Sequence, residues 1–140
     1  MIQSILLATD GSAPAERAAD FAASLATRYH SKVTVLHAFP PIPRHLGEPN
    51  LAEAMRKTLD GAKALTESVV KRLGEIGVAE TDTDVIEGPA ANVILGAAET
   101  RKPDLIVIGA RGLSTWQGIL LGSVSMAVTQ RAECPVLVVK

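Results

Sequence analysis

The chain has 140 residues, 47 % of them apolar and 21 % charged, with a formal net charge of −1. This composition excludes a disordered chain, and the absence of a basic excess argues against a protein built to grip nucleic acid. With Cys134 as its one cysteine it forms no intrachain disulfide, which fits a reducing compartment.

Met1 leads into a short apolar segment that stops at Thr9-Asp10-Gly11, without the longer apolar region of a secretory leader. No apolar stretch is long enough to span a bilayer. A cytoplasmic protein without a membrane span, folded as a single domain over residues 1–140, is expected.

Ile2 to Ala8 predicts a first strand, and Ala15 to His30 an alanine-rich helix with Ala18, Ala22, Leu25, Ala26 and Tyr29 on one face. Val33 to Phe39 predicts a second strand. Pro40 to Asn50, with Pro40, Pro41, Pro43 and Pro49, predicts a loop. From Leu51 to Ile76 the residues Leu51, Met55, Leu59, Ala62, Leu65, Val69, Leu73 and Ile76 recur at three- and four-residue steps, a long helix. Glu53 with Lys57 and Glu67 with Lys71 would pair on its outer face. Thr83 to Glu87 is a weaker strand whose Asp84 and Glu87 suit a sheet edge. Pro89 to Arg101 opens as a helix on proline, Leu105 to Ile108 is a near-continuous apolar strand, Ser123 to Glu133 is a helix stopped before Pro135, and Val136 to Val139 is the closing strand. Strands and helices alternate throughout, so the fold class is α/β, a doubly wound parallel sheet with helices on both faces.

In such a sheet ligands sit beyond the carboxyl ends of the strands, where the order of strands reverses. Two strand ends carry candidates. The first strand runs into Thr9-Asp10-Gly11-Ser12. The fourth runs into Gly109-Ala110-Arg111-Gly112, followed after nine residues by Gly122-Ser123-Val124-Ser125 at the start of the last helix. Free N–H groups and the partial positive charge of a helix start, two serine hydroxyls and the Arg111 guanidinium together make a phosphate site. Taken singly, each glycine reads as a turn and Ser123 as a cap; the joint spacing favours the anion site. Asp10 reads either as an Asx turn beside Gly11 and Ser12 or as a carboxylate for a ribose hydroxyl or an adenine amine, and the neighbouring phosphate site favours the second. There is no P-loop lysine, and no G-x-G-x-x-G follows the first strand.

Gly109-x-x-Gly112, nine residues and Gly122-Ser123 resemble the nucleotide-binding pattern of ATP-binding universal stress proteins, and Ser125 fits its extension. The Asp-Gly-Ser turn after the first strand, Val35-Leu36-His37-Ala38 and Cys134-Pro135-Val136-Leu137-Val138-Val139 resemble the flanks of that family. The resemblance implies strand order 3-2-1-4-5 and a site for ATP, ADP or AMP lined by Ala8, Thr9, Asp10, Ala38, Ile108, Gly109, Arg111, Gly112, Gly122, Ser123, Val124 and Ser125. Ala38 would meet adenine through its backbone, and Mg or Mn would ride on the phosphates. It also implies a homodimer, in agreement with the unprotected apolar run Val136, Leu137 and Val138, which needs cover if it forms an edge.

No catalytic set is visible, so a nucleotide-binding regulatory module of stress response, read by an unknown protein partner, is expected; a slow ATPase or nucleotide transferase and a ligand-free interaction protein are the alternatives. His37 reads as a histidine satisfied by a backbone group, His30 and His45 as exposed, and Cys134 as a packing residue. Trp116 reads as a lid over the phosphates or an interface residue.

Overall fold

The computed structural model describes residues 1–112 and 121–140; Trp116 and its lid or interface role lie outside the described residues. The strands are β1 (Ser4–Ala8), β2 (Lys32–Phe39), β3 (Thr81–Glu87), β4 (Leu105–Gly109) and β5 (Val136–Val139). The helices α1 (Ala13–Tyr29), α2 (Asn50–Ile76), α3 (Ala90–Arg101) and α4 (Ser123–Arg131) alternate with them, and a short 3-10 turn, Arg44–Leu46, lies in the proline-rich loop. All the strands are parallel and their order is β3-β2-β1-β4-β5, the doubly wound arrangement anticipated. Among the described residues no helix is long and apolar enough to cross a membrane.

Alternation along the strands divides the core between two faces. Ile5, Leu7, Val33, Val35, Leu105 and Val107 pack beneath α1 and α2. Leu6, Ala8, Leu36, Ile106 and Ile108 pack against Ile94 and Ala97 of α3 and Val128 of α4. The buried stripe of α1 is alanine throughout, from Ala15 to Ala26, so its backbone lies close to the sheet. Tyr29 is 43 % exposed, against expectation. The helix has run past the sheet margin there, and His30 turns left-handed (φ 58°) to start β2.

Two stripe positions of α2, Leu59 and Ile76, are likewise exposed, whereas Thr66 is buried and hydrogen-bonds to the carbonyls of Ala62 and Lys63. The helix packs by its second half, through Val69 and Leu73, on the sheet and by its first half, through Leu51, Met55 and Ala62, on a small cluster with Phe39 and Ile42. Its ion pairs also differ from those anticipated: Glu53 accepts from Arg56 at 2.7 Å, and Glu67 lies 4.0 Å from Lys63.

β3 begins two residues earlier than its sequence suggests. Its acidic alternation is matched by cations on both sides: Lys32 pairs with Glu80 and Asp82, and Arg101 with Asp82 and Asp84. At the amino ends of the two neighbouring strands β1 and β4, Asp104 accepts from the N–H groups of Gln3 (2.8 Å) and Ser4 (3.0 Å), joining the entry of β4 to that of β1. Those bonds, from Ser4 first and then Gln3, hold the Asp104 carboxyl below the usual carboxylate range. A depressed folded-state pKa stabilises the fold above the ordinary carboxylate value and ceases to do so as pH falls through the lowered one. Asp104→Asn is therefore expected to be less stable than wild type at neutral pH, with the gap closing below about pH 4. Urea midpoints measured across that range check this; a gap independent of pH would contradict it.

Candidate functional site

β1 and β4 lie side by side, with Ile5 opposite Leu105 and Leu7 opposite Val107. The chain leaves β1 for α1 on one face of the sheet and β4 for α4 on the other. The strand order reverses between them, and a cleft of about 190 Å³ opens at their carboxyl ends. Each of Ala8, Thr9, Asp10, Ala38, Ile108, Gly109, Arg111, Gly112, Gly122, Ser123, Val124 and Ser125 lines it. So do Ala15, Leu36, Ala90 and Ile94, which sequence reasoning did not single out. Leu36 was within reach of that reasoning, two residues before Ala38 on the same strand face; the α3 residues were not.

The turn after β1 is built by local chemistry. Asp10 Oδ1 accepts the Ser12 N–H at 2.9 Å, an Asx turn, and Gly11 takes φ +79°. Ser12 then caps α1 by accepting the Ala15 N–H at 3.3 Å. The Asx reading of Asp10 thus holds for one carboxylate oxygen. The other, Oδ2, lies 2.6 Å from where a side-chain carbon on Gly112 would stand, so the two strand-end segments meet across the cleft.

Gly109 has a separate reason to be glycine. A Cβ there would lie 2.9 Å from Ala15 N and from Pro14 C, against the first turn of α1. Ala110, 1 % exposed, bridges the elements around it. Its N–H donates to the Val139 carbonyl, and its own carbonyl accepts the Gly122 N–H, both at 2.6 Å. The same carbonyl accepts the Ser125 hydroxyl at 2.6 Å. Ser125 is buried and its proton is used within the protein, so its hydroxyl braces the start of α4.

That start differs from the start of α1. The N-cap of α4 is Gly122, which has no side chain with which to cap it. The N–H groups of Ser123, Val124 and Ser125 have no acceptor within the helix, and the end of the helix carries partial positive charge. Ser123 is exposed at the rim, and Arg111, half-buried, has no ion pair among the described residues. Among the described residues Arg111 and Asp10 are the only charged ones in the lining. The arrangement gives a cationic end at α4, a carboxylate at the centre, and an apolar end formed by Leu36, Ala38, Ala90 and Ile94.

The remaining candidates lie elsewhere. His30 and His45 are exposed, as anticipated. His37 Nδ1 lies 2.8 Å from the Thr9 carbonyl, the backbone contact anticipated for it. Cys134 is half-buried next to β5 at the other end of the sheet, where burial pushes its thiol pKa up, the opposite of an activated nucleophile. Among the described residues no three His, Cys, Asp or Glu side chains gather to hold a metal.

An open parallel sheet with helices on both faces and a polarised cleft at its switch point places the chain among the doubly wound α/β proteins. More specifically, the family model for the universal stress protein family matches residues 1–140, and the chain belongs to that family. It is 40 % identical to a universal stress protein of Thermus aquaticus over 140 residues, the whole of both chains. Among solved structures it superposes on a universal stress protein from Lactobacillus plantarum with TM-score 0.89 at 25 % identity, covering 99 % of this chain and 98 % of that one. A universal stress protein in complex with cAMP gives TM-score 0.78 at 28 % identity, over 99 % and 97 %. Members from Arabidopsis thaliana with AMP bound (TM-score 0.70, 25 % identity, 99 % and 91 % covered) and from Archaeoglobus fulgidus in complex with dAMP (0.69, 26 %, 100 % of both) match as well.

Proposed function

We propose that this protein binds an adenine nucleotide, ATP among them, in the cleft between β1 and β4, and that the occupied cleft is read by a protein partner in stress response. The observation that carries the reading is the uncapped start of α4 facing Asp10 and Arg111 across one cleft. The AMP, cAMP and dAMP complexes of its structural relatives support it. The N–H groups of Ser123 and Val124 and the Arg111 guanidinium would hold the phosphates by charge-assisted hydrogen bonds. Asp10 would accept from ribose hydroxyls, and the apolar end would take the base. A Mg or Mn ion would be held by the phosphates, with Asp10 as the one carboxylate among the described lining residues.

Among the described residues no side chain in the lining is placed to activate a water or a nucleophile, so the reading is of binding without fast phosphoryl transfer. A homodimer through β5 belongs to the same reading, because Val136, Leu137 and Val138 lie half-buried on an edge strand without charge or proline.

Calorimetric titration tests it. Arg111→Ala is expected to weaken ATP binding about tenfold and leave adenosine binding unchanged. Wild-type protein that binds neither ligand refutes the reading.

A further inference from the structure

The edge of β2 nearest the cleft is interrupted in a particular way. Even-numbered residues of β2 present their N–H and C=O groups to β1: Lys32 donates to Gln3, and Leu36 accepts from Thr9 at 2.9 Å. Odd-numbered residues face β3, as Val33 does in donating to Glu80. In a continuing parallel ladder the next bond would run from the Ala38 N–H to the Thr9 carbonyl. It is not made. The Thr9 carbonyl instead receives the imidazole of His37, at 2.8 Å. A carbonyl only accepts, so Nδ1 carries the proton.

Among the described residues neither the N–H nor the C=O of Ala38 has a hydrogen-bond partner. Ala38 lines the cleft and is half-exposed. One donor and one acceptor therefore stand side by side at its apolar end, where they would match the ring nitrogen and amino group of a purine edge.

We infer that His37 is a positioning residue: by occupying the Thr9 carbonyl it ends the β1–β2 ladder one bond early and keeps the Ala38 backbone open to a ligand base. The inference rests on the nucleotide reading for the identity of the ligand, but not for the ladder itself. Without the imidazole, the buried Thr9 carbonyl needs another donor, and the Ala38 N–H is the one in register. That bond would close the recognition edge. Because the device acts at the base end, its loss should weaken adenosine and AMP alike, unlike the loss of Arg111.

The test compares His37→Leu with His37→Asn, whose Nδ2 stands where Nδ1 did. Adenosine and AMP affinities are expected to fall about tenfold in His37→Leu and to be largely restored in His37→Asn. Amide exchange supplies a readout that needs no ligand. In the free wild type the Ala38 amide should exchange fast, and in His37→Leu it should slow as the ladder extends. A role confined to stability would lower the unfolding midpoint of both variants without changing either pattern. Unchanged affinity in His37→Leu, no rescue by His37→Asn, or an Ala38 amide already protected in the free wild type would each overturn the inference. If wild type binds neither adenosine nor AMP, the nucleotide reading fails, while exchange at Ala38 still decides whether His37 holds the ladder open.

Discussion

Replacing Gly109 by alanine is expected to lower folding stability by about 3 kcal/mol, at the upper end of what overpacking a core costs. The new methyl would lie 2.9 Å from Ala15 N and Pro14 C and 3.0 Å from Pro14 Cβ. These are backbone and ring atoms, so no rotamer change relieves the clash; α1 itself must move. Its movement is resisted by the alanine stripe packed on Val33, Val35 and Val107. Urea unfolding should show a lower midpoint with an unchanged slope. A midpoint equal to that of wild type would show that α1 does not bear on Gly109. Gly109 therefore has a structural reason to be glycine whether or not a nucleotide is bound, and it is weaker support for a ligand site than its place in the sequence pattern suggests.

Gly112→Ala should separate the opposite way. Its methyl would stand 2.6 Å from Asp10 Oδ2, the far end of a side chain that can rotate aside. Stability should fall by only about 1 kcal/mol, as the Asx turn is disturbed. The carboxylate, however, would leave its place in the cleft. If Asp10 holds the ribose, AMP affinity should drop roughly 10- to 100-fold, the worth of one or two charge-assisted hydrogen bonds. Asp10→Ala should lose as much, and adding Gly112→Ala to it should cost little more, because both act through one carboxylate. Calorimetric titration of the single and double variants measures this. Full AMP affinity in Gly112→Ala would remove Asp10 from the binding reading.

The order of elements and the location of the cleft were legible in the amino-acid sequence. Continuous apolar runs such as Leu105 to Ile108 mark strands covered on both faces, and three- and four-residue steps mark the helices between them. The places where that reading missed share a cause. Tyr29 and Leu59 continue an apolar stripe, but whether a stripe residue is buried depends on how far the opposing surface extends. β3 looked short because Asp82 disfavours a strand, until Lys32 and Arg101 arrive from elsewhere in the chain to pair with it.

The site divides along the same line. By itself the sequence determined which strand-end loops carry the candidate residues, because alternation of strand and helix dictates a parallel sheet, and such a sheet carries its loops at fixed ends; that β1 and β4 stand side by side was implied only by the family resemblance and is seen in the strand order. Only the tertiary structure decided what each residue does there: Gly109 against α1, Ser125 on the Ala110 carbonyl, His37 on the Thr9 carbonyl, and Ala90 and Ile94 joining from α3. Those roles rest on contacts of a few ångströms between segments far apart in the chain, and local spacing along one strand or helix carries no record of such distances.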